Sequence, residues 1–297
     1  MPGNIGKVIS LCRMNSRSVL AGLNLHAIQQ VVKWIVYTIL VVNFVGYVID
    51  DLEFAEHGLQ DGESFLRWTT TFAATLDELG WFMLLFLFEL ETYSLSDEAF
   101  EGATGTLIHG VRILCYAFIA HTVYAYYGDV QVYTAATPLA GISNLCQLAG
   151  QEMSYTFNLV YAVVDQTNCS MLSADTNFYP ADSETLVTDT KGIAILRGLA
   201  WADLIEAIVW LLIVFLIEFM VRLQGRGISS GQLIRMGNIA KPALYGILVL
   251  VAIYWATLEQ WLFVWDEFIW IAGFMAIEMN VVEWRGEMQE EAQEHAA

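Results

Sequence analysis

The sequence predicts an all-α polytopic membrane protein, with six transmembrane helices as three two-helix repeats in a pseudo-three-fold bundle. A small extramembrane lobe is expected between helices 3 and 4. Composition carries the first part: 57% of residues are hydrophobic, only 15% are charged, and the mean hydropathy is +0.51. That is too apolar for a soluble domain of 297 residues. The second observation is that the apolar residues gather in six long segments. The third is a spacing: of ten Trp residues, three have a carboxylate four positions before and a Glu eight after. These are Asp77–Trp81–Glu89, Glu206–Trp210–Glu218 and Asp266–Trp270–Glu278. A basic residue four before a Tyr opens each pair of segments, as Lys33–Tyr37, Arg112–Tyr116 and Lys241–Tyr245.

The segments are Val31–Ile49, Leu66–Tyr93, Leu107–Tyr127, Leu199–Val221, Pro242–Leu258 and Trp261–Val282. A bilayer core of about 30 Å needs roughly 20 helical residues, which these segments approach or exceed with their flanks. No period-two alternation marks a transmembrane strand. Residues 1–30 are expected to be a cytoplasmic arm, possible as an amphipathic helix through Ile5, Val8, Ile9 and Cys12, rather than a cleaved signal. Helices 1–3 are assigned to 31–127, the lobe to 128–192, helices 4–6 to 193–284, and an acidic cytoplasmic tail to 285–297.

Basic residues set the expected orientation. With six crossings, Lys7, Arg13, Arg17, Lys33, Arg112, Arg222, Arg226, Arg235, Lys241 and Arg285 share one side, against Arg67, Lys191 and Arg197 on the other. The bias puts both termini in the cytoplasm of a bacterial inner membrane and the lobe outside. Cys146 and Cys169 then face an oxidising compartment and are expected to form a disulfide.

The twelve-residue distance from the outer acid to the inner Glu is about 18 Å of helix, shorter than the hydrocarbon core of about 30 Å. At least one carboxylate set therefore lies in or at the edge of the apolar slab. Asp77, Glu78, Asp203, Glu206, Asp266 and Glu267 form the candidate transport or ion-binding set, because acids at that depth face a bundle interior or a wet cavity. The competing expectation is a row of interfacial acids with no role in function. Lys33, Glu89, Arg112, Glu218, Lys241 and Glu278 are the candidate inner charge pairs or gate, and equally serve as interfacial staples. Tyr37, Trp81, Tyr116, Trp210, Tyr245 and Trp270 are assigned to repeat packing. Asn43 and His121 are polar residues inside helices, and His121 is a relay candidate only if Asp203 or Glu206 lies beside it.

Other chemistry finds no pattern. No His or Cys spacing suits a metal, and no cofactor fingerprint is present. Gly227-Ile-Ser-Ser-Gly231 matches a nucleophile-elbow string in a loop that offers no strand-to-helix turn. No enzyme activity is expected. A net charge of −19 and a pI of 4.4 argue against nucleic acid as a partner. The expected partners are the lipid bilayer and inorganic cations or protons. The leading reading is a cation or proton channel or transporter; the alternative is a scaffold, sensor or accessory subunit that binds a protein through its outer lobe. Nothing in the sequence sets the oligomeric state.

Overall fold

A computed structural model of the chain describes residues 31, 34–90, 102–226 and 231–275. Lys33, Glu278, the arm at 1–30 and the tail at 285–297 lie outside the described residues, as does the side chain of Glu89. The chain divides into two compact units, one of Phe44–Phe268 and one of Met1–Asn43 with Ile269–Ala297. In the smaller unit Leu40 and Trp270 are buried, and Trp34 meets Tyr37 edge to face.

The protein is mostly helical and carries the apolar helices of an integral membrane protein. Helix α1 spans Trp34–Gly58, α4 Ala103–Ala135, α6 Thr190–Gly225 and α7 Gln232–Thr257. Each is long and apolar enough to cross a bilayer. A fifth candidate is a broken one, α2 (Phe65–Thr71) with α3 (Ala73–Glu89), bent by 71°. The sixth apolar segment appears as α8, residues 261–275 of the described chain. On α6 the residues Trp201, Ile205, Ile208, Leu212, Phe215 and Phe219 are all exposed and recur every three or four positions. Such an apolar face is stable only against lipid or a partner.

The break at Phe72 has local causes. The run Thr69–Thr71 is β-branched, and the Thr69 and Thr70 hydroxyls donate to the carbonyls of Leu66 and Arg67, which weakens the helix. Ser64 caps α2 by accepting from the Arg67 amide. The opened first turn of α3 is met by Asp51 of α1, whose Oδ2 accepts from the Thr75 amide at 2.9 Å. Apolar surroundings demand such a partner for each freed backbone group.

Helices α4 and α6 have 33 and 36 residues, about 50 and 54 Å, so both outrun a bilayer core by several turns. The excess carries the lobe. Arg197 of α6 ties the two by donating from Nε to the Tyr133 carbonyl at 2.7 Å and from Nη2 to that of Ala136 at 3.1 Å, at the negative end of α4.

The lobe is built on strands, with one short α-helix, α5 (Cys169–Leu172), a departure from the all-α expectation. It is a four-stranded sheet of order β2-β1-β4-β3, with β1 Ser154–Phe157, β2 Val160–Val163, β3 Phe178–Ala181 and β4 Ser183–Asp189. The outer pairs are antiparallel and β1 runs parallel to β4. Asn158 (φ 53°) and Leu159 (φ 64°) turn the first hairpin with both residues left-handed, the geometry that matches strand twist. Asn158 Nδ2 donates to the Leu258 carbonyl and Gln260 Nε2 donates to Asn158 O, so the hairpin tip grips the turn after α7. Leu159 there packs on the cluster of Leu199, Val251 and Trp255, and this contact compensates an unfavourable φ for a branched residue. Cys146 and Cys169 are disulfide-bonded within a core of Leu145, Leu148, Tyr155, Phe178 and Val187. Beside it the Thr190 contacts hold the Asp175 carboxyl below the usual carboxylate range. That contribution is present above the unfolded pKa and is lost as the pH falls through the depressed one.

The membrane helices meet through small residues. An added Cβ at Gly198 of α6 lands on the Tyr254 hydroxyl of α7, whereas at Gly246 of α7 it meets nothing within 4 Å. Gly198→Ala is therefore expected to lower stability by about 1–3 kcal/mol through overpacking. Gly246→Ala is expected to raise it slightly, through helix propensity. Thermal unfolding in one detergent compares them; equal shifts of the two midpoints contradict the close approach.

Candidate functional site

The candidate carboxylates sit on α3, α6 and α8. Glu78, Asp266 and Glu267 are buried, while Asp77, Asp203 and Glu206 are half-buried. All six belong to the Phe44–Phe268 unit. The strongest electrostatic neighbours of Glu206 are other carboxylates, namely Glu267, Asp77, Asp203 and Asp266. Acids separated by up to 190 positions in sequence thus form one cluster.

Aromatic donors hold the cluster. Trp81 Nε1 donates to Asp77 Oδ2 at 3.0 Å, one turn back on its own helix. Trp210, at the equivalent spacing, instead reaches across from α6 to Glu267 Oε2 on α8 at 3.2 Å. Trp255 Nε1 donates to Asp203 Oδ1 at 3.1 Å, and the Tyr47 hydroxyl to Asp266 Oδ2 at 3.4 Å. Glu267 Oε1 meets no hydrogen-bond partner among the described residues although the side chain is 3% exposed. Side-by-side acids in such surroundings are costly unless donors, protons or cations offset their charge.

One turn beyond the acids the rings close up. Trp81 and Trp210 lie 6.0 Å apart between centroids, and Trp210 meets Tyr245 edge to face at 6.3 Å. Trp81, Trp210 and Tyr245, all assigned to repeat packing, thus meet one another in a row. Tyr116 is exposed, and Tyr37 and Trp270 belong to the smaller unit.

Of the inner charges, Glu218, Arg112 and Lys241 have described side chains. Glu218 accepts from Arg222 Nη2 at 2.5 Å, and both side chains are exposed. A pair of this kind contributes about 0.3–0.5 kcal/mol. Arg112 and Lys241 are half-buried. His121 stacks on Tyr124, and its Nε2 finds no hydrogen-bond partner among the described residues.

Sequence reasoning missed Tyr47, Tyr126 and Trp255. The Tyr126 phenol lies within electrostatic reach of Asp203, Asp77 and Glu206. A signal existed: each of the three stands ten residues after Tyr37, Tyr116 or Tyr245. Asp129 was also missed. It lies within reach of Asp203 on one side and of Asp182 and Arg67 on the other. Arg67 Nη2 donates to Asp182 Oδ2 at 2.6 Å, beside a groove of about 360 Å³ lined by Glu63, Arg67, Asp182 and Glu184.

Among the described residues, no group of three His, Cys, Asp or Glu side chains is placed to hold a metal ion. Comparison with protein families, curated proteins and solved structures finds no match for this chain.

Proposed function

We propose that this integral membrane protein moves a cation or a proton across the bilayer through its carboxylate cluster. The observation that carries the reading is the convergence of Asp77, Asp203, Glu206, Asp266 and Glu267 within apolar helices, around neighbours that are themselves acids. Such groups in a membrane mark ion and proton paths. The proposal keeps six crossings in three repeats about a pseudo-three-fold axis, with α2–α3 as a broken second crossing. It keeps both termini cytoplasmic, the lobe outside a bacterial inner membrane, and no catalytic chemistry. Discontinuous helices are a common way to bring backbone termini to a transport site.

The test is reconstitution of the full chain in liposomes under imposed proton, sodium or potassium gradients. Uptake along one of these gradients is expected, with most of it lost when Asp77→Asn, Glu206→Gln and Asp266→Asn are combined. Uptake unchanged by the triple substitution refutes the assignment. The second reading, a scaffold that binds a protein through the lobe, draws on the apolar edge strand β2, where Val160 and Val163 are exposed. A partner that co-purifies in fixed ratio, with no flux, favours it.

A further inference from the structure

Glu267 has one satisfied and one unsatisfied carboxylate oxygen. Its Oε2 is satisfied by Trp210, while Oε1 is buried with no hydrogen-bond partner among the described residues. Glu267 packs beside Glu206, because its donor Trp210 stands one turn after Glu206 on α6, and it is the foremost charged neighbour of Glu206. We infer that the transported ion is the proton, shared by Glu206 and Glu267 as a carboxyl pair that is loaded from the groove under the lobe through Asp129 and Asp203. This rests on the transport reading above and narrows its substrate.

Three observations favour the proton over a metal cation. First, aromatic donors occupy oxygens of Asp77, Asp203, Asp266 and Glu267: the N–H of Trp81, Trp255 and Trp210 and the O–H of Tyr47. Each turns the positive end of a dipole towards the cluster, which suits a shared proton and opposes a desolvated metal ion. Second, the tilted and edge-to-face contacts of Trp81, Trp210 and Tyr245 pack aromatic rings one turn beyond the acids. Such packing obstructs a hydrated ion, whereas a proton passes by exchange between rotating side chains. Third, the route outward consists of acids. Asp129 lies within electrostatic reach of Asp182 at the groove and of Asp203, its neighbour Val130 packs on Ala200 and Leu204 either side of Asp203, and Asp203 stands one turn before Glu206 on α6.

The titratable groups around the pair are Asp77 and Glu78 of α3, Asp203 of α6 and Asp266 of α8, with the phenols of Tyr47 on α1 and Tyr126 on α4. Tyr245 of α7 stands behind Trp210. The proton balance is simple. Asp129 takes H⁺ from the groove and passes it to Asp203, and each transfer leaves a carboxylate behind it. The pair then holds one proton between an acceptor oxygen of Glu206 and Oε1 of Glu267. Release to the far side regenerates two carboxylates that await the next proton.

The test is infrared spectroscopy of the purified full chain in detergent, titrated through neutral pH in H₂O and D₂O. A C=O stretch of a protonated carboxylic acid is expected at neutral pH, shifted in D₂O and lost in both Glu206→Gln and Glu267→Gln. Trp210→Phe, which removes only the donor to Oε2, is expected to move the band and serves where a Gln variant does not fold. Asp129→Asn is expected to keep the band and slow proton uptake by liposomes. Absence of the band in wild type, or a band indifferent to Glu206→Gln, Glu267→Gln and Trp210→Phe, overturns the inference. The two readings fail separately. A correct band with no ion flux removes transport and leaves the proton site. Sodium or potassium flux without the band keeps transport and removes the proton.

Discussion

Asp189→Ala is expected to destabilise the lobe by about 3–5 kcal/mol, from the loss of a helix cap and the stranding of buried donors. Asp189 closes β4 immediately before α6 begins at Thr190. Its Oδ1 accepts from the Gly192 amide at 2.8 Å, the capping bond of α6. Its Oδ2 accepts from the hydroxyls of Tyr155 and Ser173, both at 2.8 Å. One carboxylate thus joins β1, the segment after α5 (Cys169–Leu172) and the first turn of the long helix. Ala leaves all three donors without that acceptor. Asp189→Asn keeps an acceptor oxygen for Gly192 and is expected to cost less. The same corner explains Gly192, where an added Cβ lands on the Thr188 hydroxyl. Near-UV circular dichroism on heating, with amide exchange at 190–193, measures the effect. Equal midpoints for wild type and Asp189→Ala contradict the role.

Much of the cluster was legible in the sequence because helical register is regular. The spacing of Trp81, Trp210 and Trp270 marks the helices that carry acids, and two of those Trp donate to acids in the cluster. What spacing cannot show is which acid each donor reaches. Trp81 bonds within its own helix, while Trp210 crosses to α8, since that choice depends on interhelical packing. The aromatic donors ten residues after each repeat Tyr were visible but carried no charge to draw notice. The sheet was harder to read. Its strands β1, β2 and β3 have four residues each, too short for a clear alternation, and the central β1–β4 pair joins residues more than thirty positions apart. The turn at Asn158–Leu159 lacks the glycine that usually betrays a two-residue hairpin. Only the two cysteines hinted that the lobe has a core of its own.

Replacing Cys146 and Cys169 together by Ser is expected to destabilise the lobe by about 3 kcal/mol. The bridge spans 23 residues and closes a segment that contains β1 and β2, so its removal frees much of the sheet in the unfolded state. Packing adds to the loss. Cys169 is 2% exposed among Leu145, Leu148 and Phe178, and a Ser hydroxyl there needs a partner that apolar neighbours do not supply. The loss is expected to stay local. The apolar helices hold one another through Gly80 on α4, Gly198 on Tyr254 and the cluster of Val130, Ala200 and Leu204, none of which involves the sheet. The Ser variant should therefore show two transitions, an early one in the near-UV signal of the lobe and a later one in the helical signal. The wild type under reductant should reproduce the early transition. A single transition at the wild-type temperature contradicts a stabilising bridge. A single transition at a lower temperature means that the contacts of the lobe with the helices, Ala181 and Leu186 on Leu196, Leu159 on Leu199 and the Asn158 bond to Leu258, couple the two into one cooperative unit.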